Sequence, residues 1–246
     1  MGILYRFIMK YSIVMPYYKR GMHLNNTFVS FVHHYHNRND YEVIIIEDIK
    51  NREDSIEHIK LLDTINKFKD DINIVYLSTN FTDCFNPCLN FNYGIEKALG
   101  EFILITNPEC MHKVDILAGL DHEYAINPKT YIICACEAIY CDEEIDNMNE
   151  LKFTHFAWFQ HSEFNNCRLH FCSSISKDNF DMIGGFDEEY SHGIAYEDTD
   201  FLRLVMNNNI PIICRDDLLI LHIEHYRGYA SEELIEKNKN YYLSKS

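Results

Sequence analysis

Tyr41-Glu42-Val43-Ile44-Ile45-Ile46-Glu47-Asp48 is the stretch from which the fold can be read. Its apolar residues are consecutive, not alternating, and three of them are isoleucine. A strand with one solvated face alternates; an unbroken β-branched run suits a parallel strand covered on both faces. Upstream, Tyr11-Ser12-Ile13-Val14-Met15 is a second such run, stopped by Pro16, and Phe28, Val32 and Tyr35 follow at helical spacing. Downstream, Ile56, Ile59, Leu62, Ile65 and Phe68 mark one helical face, and Ile72 to Leu77 reads as a third strand. Cys88, Phe91, Ile95 and Ala98 face one way on a further helix that Gly100 can cap. Phe102 to Thr106 then gives a fourth strand, ending at Asn107-Pro108-Glu109. Strand–helix alternation of this kind predicts an α/β domain, a doubly wound, mostly parallel sheet flanked by helices. Ligands on such sheets bind beyond the carboxyl ends of the strands. Pro16-Tyr17-Tyr18, Glu47-Asp48 and Asn107-Pro108-Glu109 therefore share one rim.

The second half is less regular. Lys129 to Cys136 reads as a strand, and Tyr140 to Asn166 is a polar, aromatic stretch holding Trp158. His170 to Ser174 reads as a strand, Ile175 to Ile183 as a short helix, and a helix begins near Glu197. Ile210 to Cys214 and Leu218 to Ile223 read as two closing strands, before a charged helix from Ser231 to Tyr242. No repeat or Pro/Gly-rich linker divides the chain, so a single domain over 1–246 is expected.

The formal charge of −16 argues against nucleic acid as a partner and against an electrostatic membrane anchor. No apolar run reaches the roughly 18–20 residues that cross a bilayer, and Met1 to Met15 lacks a clean leader pattern. Nine cysteines without a leader read as reduced thiols, which points to the cytoplasm, a host's if the source is viral. Cys134, Cys136 and Cys141 have some look of a zinc cluster, but two of them sit in an apolar strand and read as core.

Four segments in order resemble the GT-A glycosyltransferases of the family 2 type. Ser12-Ile13-Val14-Met15-Pro16-Tyr17-Tyr18-Lys19-Arg20 is similar to that family's S-I-V-I-P-x-Y-N-R opening, and Val43 to Asp48 to its second strand. Asn92-Tyr93-Gly94-Ile95, Ala98 and Gly100-Glu101-Phe102-Ile103 resemble the approach to the D-x-D motif. Gly184-Gly185-Phe186-Asp187-Glu188 with Glu197-Asp198-Thr199-Asp200-Phe201 is similar to G-G-F-D-E…E-D-x-D-F. The resemblance implies a nucleotide-sugar donor, usually a UDP-sugar, held by about residues 11–110, and a glycan or other hydroxyl acceptor held by about 111–246. Asp48, or Glu47, would bond the uracil or ribose; Pro16 and Tyr18 would line the base pocket, with Asn92 also on the donor side. The D-x-D position reads Asn107-Pro108-Glu109, so one carboxylate has become an amide. Glu109 remains an anionic ligand for Mn²⁺ or Mg²⁺. His222 falls where relatives place a histidine on the metal, in Leu221-His222-Ile223-Glu224-His225-Tyr226-Arg227, with His225 the alternative and His112 a weaker third.

Asp198 matches the usual base of inverting members, so inversion is expected, with Glu197 orienting the acceptor. Asp200 reads as a helix-start charge. Trp158, among Phe156, Phe159, Gln160 and His161, is either an acceptor platform or core packing. Gly185 allows either close approach to substrate or a simple turn. Two other readings stay open: a non-catalytic nucleotide-sugar or glycan-binding module, motivated by Asn107, and a sugar nucleotidyltransferase, for which Pro16 to Gly21 is a poor triphosphate loop.

Overall fold

The computed structural model describes residues 9–81, 86–225 and 231–245. Met1 to Ile8, part of the stretch read for a leader, and Tyr226-Arg227 of the histidine motif lie outside them. The first half runs β1 (Tyr11–Tyr17), α1 (Gly21–Tyr35), β2 (Tyr41–Glu47), α2 (Ile49–Glu53), α3 (Ser55–Phe68), β3 (Ile74–Ser78), α4 (Cys88–Lys97) and β4 (Phe102–Thr106). The second runs β5 (Cys110–His112), α5 (Ile116–Ile126), β6 (Tyr131–Tyr140), β7 (Thr154–Gln160), β8 (Cys172–Ser176), α6 (Lys177–Ile183), α7 (Glu197–Asn207), β9 (Ile212–Ile223) and α8 (Glu232–Ser244). All nine strands form one sheet in the order β3-β2-β1-β4-β8-β6-β9-β5, with β7 beside β6. The first four strands are parallel, as is the β6–β9 pair, while β8, β7 and β5 join antiparallel.

The apolar runs divide between two cores, one on each face. Ile13, Met15, Val43, Ile45 and Leu104 meet Leu24, Phe28 and Phe31 of α1 and Leu117 and Leu120 of α5. Val14, Ile44, Ile46, Ile103 and Ile105 meet Phe91 and Ile95 of α4, Phe180 of α6 and Phe201 and Val205 of α7. Period-2 alternation thus persists, with both faces apolar because both are covered. Cys134 and Cys136 point into the first core with Cys141, and among the described residues none of the three belongs to a candidate metal cluster. No helix among the described residues is long and apolar enough to cross a membrane.

Several local expectations change. The aromatic stretch read as irregular contains β7, a strand whose mixed aromatic and polar residues hide its period. The two closing strands are one, β9: its pairing skips from Arg215 to Leu219 against Cys134 and Ala135, so the polar Asp216-Asp217 bulges without breaking the strand. On α3, Leu61 and Phe68 are buried, whereas Ile56 and Ile59 are 65% and 56% exposed and Leu62 is exposed too. Gly100 does not cap α4, which ends on Ala98 in extended backbone. A Cβ at Gly100 would lie 2.5 Å from the Ser12 backbone nitrogen, so close chain crossing accounts for this glycine.

Candidate active site

The carboxyl ends of β1, β2 and β4 open onto a cavity of about 380 Å³, within the size range of small-molecule sites. Its lining includes Pro16, Tyr18, Asp48, Asn107, Glu109, Glu197 and Asp198. The two acids at 109 and 198, from opposite halves of the chain, therefore meet one cleft. Arg20, Lys50, Asn86, Asn90, Ile194 and Ala195 also line it, and the sequence reading did not single them out. Arg20 sits inside the opening motif, but nothing in that motif indicates which way its guanidinium turns.

Local hydrogen bonds fix the rim. Asp48 caps α2 by accepting a 2.7 Å bond from the Lys50 backbone N–H, and burial raises its carboxyl pKa. Glu47, by contrast, is fully buried and turned away from the cavity. It accepts from Asn51 at 2.6 Å and Tyr76 at 2.5 Å and meets His58 Nδ1 at 2.9 Å. Asn51 in turn accepts from the Lys19 N–H at 2.9 Å, which ties the loop after β1 to the loop after β2. The Thr27 hydroxyl donates to the Pro108 carbonyl at 2.7 Å, anchoring Asn107-Pro108-Glu109 on α1.

Pairing of β5 with β9 sets Cys110 opposite His222, and the Ile223 N–H donates to the Glu109 carbonyl at 2.9 Å. Glu109 is thereby brought to both histidines of the C-terminal motif. Its Oε1 lies 3.2 Å from His225 Nε2 and 3.7 Å from His222 Nε2. One ligand atom from each of the three lies within 4.8 Å of the others, a carboxylate and two imidazoles able to converge on a single divalent ion. Burial alone would raise the Glu109 carboxyl. The His225 bond and the charges of His222 and Arg20 outweigh that effect and hold it at about 2. His112 is excluded from this group: its ring is buried against Phe31, with Nδ1 on the Tyr35 hydroxyl.

Arg20 adds a constraint on the histidines. Its Nη2 lies 2.8 Å from His225 Nδ1, and a guanidinium can only donate. Nδ1 must therefore accept, leaving the Nε2 proton to point at Glu109. In this arrangement His225 faces Glu109 as a hydrogen-bond donor. His222 meets the group through Glu109, its Nε2 lying 3.7 Å from Oε1.

On the far wall, Glu197 and Asp198 open α7 immediately after Ala195 and Tyr196, both in left-handed backbone at φ 63° and 70°. Asn86 donates to Glu197 at 2.6 Å. Burial, then the adjacent Asp198 charge, pushes the Glu197 carboxyl up to about 7 despite that bond. Asp198 Oδ1 accepts from the Thr199 N–H at 2.6 Å and from its hydroxyl. The Asp198 charge also acts on His170, which is packed edge-on against Phe91 and Phe186, its Nδ1 without a hydrogen-bond partner among the described residues. Asp200 is not in the cleft; it is 1% exposed and pairs with Arg203 and Lys245.

Three further candidates lie outside the cavity lining. Asn92 accepts from the Phe186 N–H at 2.9 Å and donates to its carbonyl at 2.8 Å, so it clamps the turn after α6. Gly185 belongs to that turn at φ 72°, where a Cβ would lie 2.9 Å from Asn92 Oδ1. Trp158 lies in a half-exposed aromatic group with His155, His161 and Phe164. It is its neighbour Phe159 that packs on His222, at 5.0 Å between rings.

The sequence matches the family described as glycosyl transferase family 2 over residues 12–182. No curated protein matches it by sequence. Among solved structures, S. aureus TarS 1-349 in complex with UDP is similar at a TM-score of 0.65 and 14% identity, covering 88% of this chain and 61% of that one. TarS 1-349 in complex with UDP-GlcNAc gives 0.64 and 13%, covering 89% and 59%. The mannosyltransferase PcManGT from Pyrobaculum calidifontis, in complex with GDP-Man and Mn²⁺, gives 0.62 and 11%, covering 89% and 58%. The chain thus spans about three-fifths of the length of these structures, which share its α/β fold.

Proposed function

The chain belongs to glycosyl transferase family 2, and on that premise we propose that it moves a sugar from a UDP-sugar to a hydroxyl acceptor, with inversion and with Asp198 as general base. The observation that carries the reading is the convergence of Glu109 and Asp198 on one cleft, the former beside two histidines. Asp48, Pro16 and Tyr18 bind the nucleoside at the β1–β2 end. Arg20 and Lys50 supply positive charge for the diphosphate. The carboxylate–imidazole set fits a borderline cation, Mn²⁺ better than the oxygen-seeking Mg²⁺, and Glu109 with His222 would hold it. Bound there, such an ion offsets the charge that develops on the leaving diphosphate.

The acceptor hydroxyl approaches from the α7 wall. Its proton passes to Asp198 as the new bond to the anomeric carbon forms and the bond to the diphosphate oxygen breaks. UDP leaves with the electron pair, and inversion follows from attack opposite the departing group. Asp198 suits this because its Oδ2 takes no hydrogen bond from the described residues, leaving a lone pair for the acceptor. Glu197, raised to about 7 by burial and the Asp198 charge and tied to Asn86, serves as a fixed hydrogen-bonding neighbour to the acceptor. The free thiols of the described cysteines accord with a cytoplasmic site of action.

Calorimetry with UDP and Mn²⁺, followed by a UDP-release assay across UDP- and GDP-sugars, tests the reading. Metal-dependent UDP binding with release from a UDP-sugar is expected. Binding without release across a broad acceptor panel would instead favour a binding module.

A further inference from the structure

Two consecutive non-glycine residues in left-handed backbone stand directly before the acidic pair: Ala195 and Tyr196. That conformation presses a Cβ against the backbone, and unsupported residues relax out of it. Relaxation here would swing Glu197 and Asp198 off the cleft wall. The support comes from α8, an element the mechanism above does not use.

Asn238, on α8, is 1% exposed, and both of its amide protons are spent on this loop. Nδ2 donates to the Ala195 carbonyl at 2.9 Å and to the Tyr190 carbonyl at 3.0 Å. The Ile194 N–H donates to the Leu234 carbonyl of α8 at 3.1 Å. Gly193 lies so close to this helix that a Cβ there would sit 2.2 Å from Asn238 Oδ1. The far end is pinned as well: Lys245 bonds Asp187 at 2.6 Å and Asp200 at 2.5 Å. Ile194 and Ala195 both line the cleft, so α8 touches the back of residues whose front faces substrate.

We propose that Asn238 is a positioning residue: it holds Ala195-Tyr196 in the strained conformation that presents Glu197 and Asp198 to the acceptor. The inference rests on the acidic pair serving in transfer, as proposed above. It predicts an effect on turnover and not on donor affinity, because the nucleoside wall is built from β1 and β2.

The test compares wild type with Asn238→Leu, which keeps the volume and removes both donors. UDP release is measured with UDP-glucose, UDP-galactose and UDP-N-acetylglucosamine, and hydrogen exchange is followed over 190–198. Expected are faster exchange in that segment, a kcat lower by about 10- to 100-fold and a donor KM changed by less than about twofold. Adding Ala195→Gly, which removes the penalty at that position, should recover part of the lost kcat. Should Asn238→Leu not fold, Asn238→Ser, with one donor kept, carries the same comparison. Unchanged exchange over 190–198, or faster exchange with unchanged kcat, would overturn the proposal. Failure of the base assignment shows elsewhere, as an Asp198→Asn enzyme that still turns over while exchange still responds to residue 238.

Discussion

Asn86 Nδ2 and Glu197 Oε2 lie 2.6 Å apart, so the first carboxylate of the acidic pair is tied down while the second keeps an oxygen for the cleft. The division is chemical as well as geometric. Glu197 is raised to about 7, first by burial and then by Asp198, so near neutral pH it retains a proton for much of the time. Two adjacent ionised carboxylates in a partly desolvated wall repel, and protonating one lets the other stay charged.

From this, Asp198→Asn should lower the rate of UDP release by about 10²- to 10⁴-fold, the usual contribution of a positioned base. Donor affinity should change little, because the residues proposed to contact the nucleoside lie on the opposite wall. Stopped UDP-release assays and UDP titration calorimetry check the two halves. A variant that kept most of its turnover would remove Asp198 from the role.

Glu197→Gln tests the other carboxyl through stability. Below its ordinary value of 4.5 the group is protonated in both folded and unfolded chains, and above about 7 it is ionised in both. Between the two, the folded protein keeps a proton that the unfolded chain has lost. Stability from this group is therefore full at low pH and falls as pH rises from 4.5 to 7. Glutamine has no such proton, so the variant should gain on wild type across that window, by on the order of 2 kcal/mol. Chemical denaturation at pH 4.5 and pH 7.5 measures it; equal differences at both pH values would exclude the shifted carboxyl.

At the other wall, the Arg20–His225 bond separates the two histidines. Glu109→Gln and His222→Ala should each weaken Mn²⁺ binding by about tenfold or more, since each would remove one of the proposed ligands from a small set. His225→Gln should cost less, because that ring already gives its Nδ1 to Arg20 and its proton to Glu109. Titration of Mn²⁺ in the presence of UDP, read by calorimetry, ranks the three. A His225 variant as weak as the His222 variant would show that Arg20 releases the ring when metal enters.

The parallel half of the fold was legible because covered strands leave a pattern that few other structures produce. Val43 to Ile46 and Ile13 to Met15 could hardly be anything but buried strands, and their ends fixed the rim. β7 was illegible for a physical reason: two register shifts interrupt its ladder with β6, and its burial runs from exposed to buried along the strand, so no alternation survives. Glu47 shows the limit at the site itself. Sequence places both carboxylates of Glu47-Asp48 at a strand end, but only packing decides that Glu47 turns inward to His58 and Tyr76. Arg20 and Asn238 carry no signal of their role, because each acts through a partner distant along the chain.

Asn92 is the residue where sequence resemblance and geometry assign different work, and one variant separates them. The resemblance puts it on the donor side; in the structure its side chain makes a paired bond to the Phe186 backbone at 2.8 and 2.9 Å. That pair holds the turn through Gly185, at a positive φ that glycine adopts without strain, and the Phe186 ring then stacks on Phe201 of α7 at 4.5 Å. Asn92→Ala leaves a backbone N–H and carbonyl without their amide partner, a loss of about 1–3 kcal/mol. The expected result is a lower midpoint of unfolding with UDP affinity within about twofold of wild type, since a clamp outside the cavity lining adds little to binding. Thermal unfolding and UDP calorimetry on the same preparation decide it. Unaltered stability with a tenfold loss of UDP affinity would return Asn92 to the donor site.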